Sequence, residues 1–248
     1  MNVCELIDYT GLLLQVDRFR DYSPNGLQVE GRPEINVMVS GVTASMALLE
    51  RAAELKADLV LVHHGYFWKG EESRVTGIRR QRLKFLLERD INLVGYHLPL
   101  DAHAELGNNA QLAGLLDFEV RGWFGEQGIA AHGELKQSRT LMELGELIAA
   151  RLKREPLIVG DLGKPIRRIA WCTGAAQDYL ELAAALGVDA FMTGEVSERT
   201  VHVARESGVA FIAAGHHATE RYGVKALGEH LAQHFGISHH FVDIDNPV

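Results

Sequence analysis

Cysteine is nearly absent from this sequence. Only Cys4 and Cys172 occur among 248 residues, with neither CxxC spacing nor a framework of bridges, which suits a reducing compartment and makes the cytoplasm the expected location. Long apolar runs are missing too. The longest, such as Leu59 to Val62 and Phe211 to Ala214, have the length of strands and fall far short of the ~20 residues that span a bilayer. The N-terminus, Met1 to Gln15, carries Glu5 and Asp8 within its apolar pattern and lacks a basic region or small-residue cleavage site, so it reads as an amphipathic helix and not as a secretion signal. Basic charge is in deficit, with 25 Lys and Arg against 33 Asp and Glu and a net charge of -8. A duplex-binding surface must neutralise several phosphates, so nucleic acid is disfavoured as a partner. The basic cluster Arg79, Arg80, Arg82, Lys84 and Arg89 reads as a solvated helix face. No phosphate-binding loop, dinucleotide fingerprint, nucleophile elbow or His-Glu-x-x-His occurs, which removes the commonest nucleotide-motor, dehydrogenase and serine-hydrolase readings.

What is present is an ordinary globular balance, 47% hydrophobic and 23% charged, with an unusual wealth of histidine. Twelve histidines occur, six of them in the doublets His63-His64, His216-His217 and His239-His240.

Short β-rich apolar runs alternate with helical patterns, as in βαβ units around a mainly parallel sheet. Strands are expected near 36-41, 57-63, 91-96, 166-172, 189-193 and 208-214. Helices are expected near 2-15, 44-56, 77-89, 108-116, 140-154, 175-187, 197-207 and 219-235, the second opening with Thr43 and Ser45 as candidate caps. The unit appears twice. Aligning Asp58 with Asp189 sets His64 opposite Glu195, and further on both halves end a strand with histidine and place a carboxylate four residues later, His97 with Asp101 and His216 with Glu220. The expected fold is α/β, two similar interlinked halves with mainly parallel sheets and a metal site between them at the strand carboxyl ends. The glycine-rich stretch Gly122 to Gly133 places the crossover, giving halves 1-125 and 126-248. Whether a last strand, Phe241 to Ile244, returns to the first sheet is left open.

In open parallel sheets, ligands bind beyond the carboxyl ends of the strands. His63, His64, His97, Asp101, Glu195, His216, His217 and Glu220 all fall at or just past such ends, and imidazole with carboxylate is the donor set of borderline divalent metals. So many candidates in separate segments exceed the needs of one ion, which favours a two-metal site. Neighbouring strand residues point to opposite faces, so His63 and His64 serve one site only where the strand ends; Gly65 permits the turn. His216 and Glu220 share a face if a helix begins there, whereas Pro99 argues for a loop between His97 and Asp101. Any one strand-end histidine is more often a hydrogen-bonded structural residue, and His217 is read so; His103, His132, His202, His230, His234, His239 and His240 are read as surface or satisfied histidines, and Cys172 as a small buried hydrophobe.

Five ordered motifs, Ser23-Pro-Asn-Gly-Leu-Gln-Val-Glu-Gly31, Val62-His-His-Gly65, His97-Leu-Pro-Leu-Asp101, Thr193-Gly-Glu195 and Gly215-His-His-Ala-Thr-Glu220, give the sequence its resemblance to the Ngg-one-interacting factor three family, whose members carry the name GTP cyclohydrolase 1 type 2. The resemblance covers essentially the whole chain and is to the short bacterial YbgI-type members. It implies a dinuclear metal site with ligands His63, His64, Asp101, His216 and Glu220, with His97 and Glu195 nearby, inside a ring-shaped homohexamer. The expected function is a dinuclear metal-dependent hydrolase acting on a nucleotide or purine-like ring, with a GTP cyclohydrolase reaction as one version and His97 or Glu195 moving protons. The alternative is a non-enzymatic metal-binding or protein-interaction scaffold. Zn, Fe, Mn and Ni all suit the donors.

Overall fold

A computed structural model describes all 248 residues. Contacts divide the chain into two units, one of Met1–Gly107 with Gly223–Asp245, the other of Asn108–Tyr222 with Asn246–Val248. The first division therefore precedes the glycine-rich stretch. That stretch turns out to belong to a hairpin of the second unit, β5 (Phe118–Phe124) with β6 (Ala130–Thr140), where the weak periodicity had hidden two strands.

In the first unit, α1 (Val3–Leu13) is followed by β1 (Gly26–Val29), β2 (Val37–Thr43), α2 (Met46–Glu54), β3 (Leu59–His64), α3 (Gly77–Leu87), β4 (Asn92–Gly95) and α4 (Leu98–Ala102). The sheet runs β1-β4-β3-β2-β11, where β11 is Ser238–Phe241. Thus a C-terminal strand does join the first sheet, parallel to β2, a few residues earlier than the sequence suggests. β2, β3 and β4 are mutually parallel and β1 is antiparallel at the edge. Both faces of these strands are covered. Met38, Leu59, Leu61 and Val94 enter one core, and Val39, Val60, Val62 and Leu93 the other, which is why the strands read as continuous apolar runs and not as alternating ones.

The second unit contains α5 (Asn108–Leu116), β5, β6, α6 (Leu141–Leu152), β7 (Leu157–Val159), β8 (Pro165–Trp171), α7 (Leu180–Ala185), β9 (Ala190–Thr193), α8 (Glu198–Ser207) and β10 (Ala210–Ala213). Its sheet order is β5-β6-β8-β9-β10-β7, with β8, β9 and β10 parallel. The remaining pairings are antiparallel, so this sheet is more mixed than the first. Ile169, Trp171, Met192 and Ile212 fill one core, and Ala170, Phe191 and Phe211 the other. α9 (His216–Phe235) starts in this unit and ends in the first.

The helix starts follow capping chemistry. Ser45 accepts the N–H of Leu48, and Thr140 with Glu143 forms a reciprocal capping box. Thr43, the other candidate cap, instead ends β2. The expected helix over 175-187 is broken into a short turn at Gln177–Tyr179 and α7.

Candidate metal centre

The repeated aspartate fixes the strand pair in each unit. Asp58 Oδ2 accepts the backbone N–H groups of Asn36 (2.8 Å) and Val37 (3.0 Å), tying the start of β3 to the start of β2. Asp189 Oδ2 accepts those of Arg167 (2.9 Å) and Arg168 (2.8 Å), tying β9 to β8. With the bases of the strands registered, their carboxyl ends arrive together.

In the first unit these ends carry His63 and His64 on β3, and His97 and Asp101 just after β4. The ring centroids of His63 and His64 are 4.6 Å apart, and that of His97 lies 5.1 Å from the first and 5.8 Å from the second. One donor atom from each of the three falls within 4.8 Å of the others. His63, 1% exposed, sets Nε2 3.5 Å from Asp101 Oδ1. Between His97 and Asp101 the chain forms α4 and not a loop. Pro99 is accommodated because a first-turn residue has no intrahelical N–H to lose, and the N–H groups of Leu100 and Asp101 both reach back to the carbonyl of His97.

Gly65 has a different role from the one its sequence position suggests. Its φ is not positive; what it provides is room, since a Cβ there would overlap the side-chain amide of Gln28. That amide accepts the N–H of Tyr66 (2.7 Å) and donates to the carbonyl of Pro24 (2.8 Å), pinning the turn after the histidine pair. The same amide crowds Gly95 at the end of β4.

In the second unit, Glu195 follows β9, and His216 and Glu220 occupy the first turns of α9, which begins at His216 and not near residue 219. His216 Nε2 is 3.1 Å from Glu220 Oε2, the i and i+4 relation, and His216 Nδ1 is 2.6 Å from Glu195 Oε1. Burial alone would push the His216 imidazole down, but its hydrogen bonds to, and the charges of, Glu220 and Glu195 prevail and raise it to about 9. Gly174, at φ +70°, clears the space: a Cβ there would overlap Glu220 Oε1 and crowd His216 Nε2. Gly194 likewise admits the backbone of His216.

One feature unites the four histidines. The Nδ1 of His63 donates to the Tyr96 carbonyl (2.9 Å), that of His64 pairs with the Thr43 hydroxyl (3.2 Å), that of His97 with Asp21 (2.7 Å) and that of His216 with Glu195 (2.6 Å). Holding one ring nitrogen by a carbonyl, carboxylate or hydroxyl orients the other as a donor atom, the arrangement typical of metal-ligating histidine. Buried His, Asp and Glu groups here thus have the chemistry to hold a metal ion.

The sequence does not single out Asp21, Asn25, Gln28 and Thr43 as site residues, because each acts on a residue distant in the chain and no local pattern marks that relation. Of the histidines set aside, His217 is buried, His202 pairs with Glu198, His230 with Tyr9, and His239 with Ser40. Cys172 is buried in the second-unit core. No helix is long and apolar enough to cross a membrane.

Residues 1–247 match the family model described as Duf34/NIF3 (NGG1p interacting factor 3). A protein of Pseudomonas aeruginosa named GTP cyclohydrolase 1 type 2 homolog is 56% identical over 246 residues, 98% of this chain and 97% of its own. A Haemophilus influenzae protein of the same name is 54% identical with full coverage of both chains. Among solved structures, protein ybgI, described as of unknown function, superposes with a TM-score of 0.97 at 53% identity over 100% of both chains. TTHA1606 of Thermus thermophilus does so with a TM-score of 0.90 at 33% identity, again over 100% of both chains.

Proposed function

The chain belongs to the Duf34/NIF3 family, and from that premise we propose that it is a dinuclear metal-dependent hydrolase, cytoplasmic and assembled as a homohexameric ring, that acts on a nucleotide or purine-like ring. The observation that carries this reading is the set of four histidines with Nδ1 engaged by the protein, accompanied by the buried carboxylates Asp101 and Glu220. Burying a carboxylate is costly without a compensating cation, and two divalent ions supply that compensation. In the proposal His63, His64, Asp101, His216 and Glu220 are the ligands. The nitrogen and oxygen donors suit Zn, Fe, Mn or Ni.

When bound, such ions act as Lewis acids and make hydroxide available near neutral pH. The protein's own part is orientation and proton movement. Asp21 and Glu195 fix the imidazoles of His97 and His216 through Nδ1. His97 then accepts or delivers a proton at Nε2, and Glu195 exchanges one with the leaving nitrogen of the substrate ring. The name carried by the curated relatives, GTP cyclohydrolase 1 type 2 homolog, supports a purine nucleotide as the substrate.

The test is metal analysis of protein purified without chelators or affinity nickel, followed by a hydrolysis screen of GTP and other nucleotides with the metal found. Near-stoichiometric metal at two ions per chain and turnover lost in a His63→Ala, Glu220→Ala double variant are the expected results. Full activity in that variant overturns the proposal. The second reading, a metal-binding or interaction scaffold, draws on the family description, which names an interaction, and on the ybgI description of unknown function. It is supported by tightly held metal without turnover of any substrate in the screen.

A further inference from the structure

Asp21 lies in the connection between α1 and β1, and its side chain is only 4% exposed. Its charge is met by a set of N–H donors. Oδ1 accepts from Nδ1 of His97 (2.7 Å) and from the backbone of Tyr22 (2.6 Å); Oδ2 accepts from the backbone of Leu98 (2.9 Å) and from the Asn25 amide (2.9 Å). Asn25 closes the ring by accepting the backbone N–H of His97 through Oδ1 (2.8 Å). Four donors surround one carboxylate; two belong to His97 and its neighbour Leu98, and a third, Asn25, itself holds the His97 backbone.

We infer that Asp21 is the positioning residue of His97: by accepting Nδ1–H, it fixes the imidazole as a single tautomer and presents a lone pair at Nε2 beside His63 and His64. In a neutral imidazole only one nitrogen carries the proton, and the hydrogen bond at one ring position decides which. A carboxylate with no proton of its own can only accept, so Nδ1 must be the protonated nitrogen. The bland alternative is that Asp21 merely receives the exposed N–H of Leu98 at the start of α4. That role explains one of the four contacts and leaves the tautomer of His97 unspecified.

The two readings differ in an Asp21→Asn variant. An amide has one oxygen and one NH2 where the carboxylate has two acceptors. Turned either way, its NH2 meets existing donors: Leu98 and Asn25 on one side, His97 Nδ1 and Tyr22 on the other. The imidazole can relieve the second conflict by moving its proton to Nε2 and accepting at Nδ1. The inference rests on the hydrolase reading only for the use made of Nε2, and the tautomer can be measured without turnover.

The experiment is nitrogen-15 NMR of the histidine rings in metal-free protein, at a pH where the imidazoles are neutral, with His97 assigned by loss of its signals in His97→Gln. In the unaltered chain His97 is expected to show protonated Nδ1 and bare Nε2. Asp21→Asn is expected to shift both signals toward the Nε2–H form while those of His239 stay in place. An Nε2–H tautomer in the unaltered chain, or no shift in Asp21→Asn, overturns the inference and reduces Asp21 to a helix-start acceptor. The spectrum of the unaltered chain decides the matter even if the variant fails to fold. Failure to find hydrolysis alongside the expected tautomer would count against the proposed reaction and not against the role of Asp21.

Discussion

Asp58 and Asp189 perform the same act in the two units: each sits immediately before a central parallel strand and accepts two consecutive backbone N–H groups at or just before the neighbouring strand. The match is physical as well as textual. It shows that the repeated sequence pattern encodes a repeated device for setting strand register at the end of the sheet opposite the candidate metal centre.

Replacing either aspartate by alanine strands two backbone donors. Asp58, 6% exposed, has the more enclosed position and also pairs with Arg32. Asp58→Ala is expected to cost about 1–3 kcal/mol of stability, the range for a buried donor left without its acceptor, read from urea unfolding of metal-free protein. A change within error would show that water replaces the carboxylate at no cost.

This repeat was readable in the sequence because it depends on residue types at fixed spacing. So were the six central strands, each an apolar run of strand length, and the pairing of His216 with Glu220 four residues on, whereas His97 pairs with Asp21 and Asp101 lies against His63. What escaped was set by long-range contact. β5 and β6 face partners that leave them partly exposed and glycine-containing, so their patterns are weak. The sequence points to a loop at α4 because Pro99 counts against a helix interior, an objection that its first-turn position removes. Asp21 and Gln28 act on residues about 40 to 80 positions away, a relation that no local pattern expresses.

Trp68 offers an optical probe of the histidine cluster. Its ring lies 4.9 Å from that of His97 and 5.9 Å from that of His64. Titration of metal-free protein with a paramagnetic ion such as Mn²⁺ or Ni²⁺ is expected to quench a component of the tryptophan emission that is missing in Trp68→Phe. Equal quenching in the two proteins would place the ion away from these histidines.

Gly174→Ala should be far more damaging than an ordinary glycine substitution. The new Cβ meets Glu220 Oε1, and the backbone is in the left-handed region, where a side chain costs about 1–2 kcal/mol on its own. Loss of bound metal at near-native secondary structure, by elemental analysis and circular dichroism, is the expected outcome. Full metal retention would mean that Glu220 is not held where this geometry puts it.

Glu195→Gln tests the orientation of His216 separately from ligation. Loss of an outer hydrogen-bond partner typically weakens metal affinity roughly 10–100-fold. A shift of that size in a competition titration with a chelator is expected, whereas an unchanged affinity would separate Glu195 from the metal function altogether.

His239 predicts an acid-side loss of stability away from the metal centre. Burial, then the positive charges of His240 and Lys225, lower it to about 4 from an ordinary value of 6.5, while its Nε2 meets the Ser40 hydroxyl at 2.7 Å. The unfolded chain protonates this histidine below pH 6.5 and the folded chain resists doing so until about 4. Its contribution is therefore complete above 6.5 and is lost as the pH falls toward 4. In metal-free protein, the drop in unfolding midpoint between pH 7.5 and 5 should be smaller in His239→Gln than in the unaltered chain. An identical drop would assign the acid sensitivity to other groups.

The placement of β11 beside β2 has a consequence for how the chain is made. Residues up to Gly107 leave the ribosome first, yet the edge of β2 stays unpaired until Ser238–Phe241 has been synthesised. An open strand edge is a template for pairing with other chains. The sheet begun earliest thus waits for a strand made near the end of synthesis, and its edge stays open while the strands between β2 and β11 are translated.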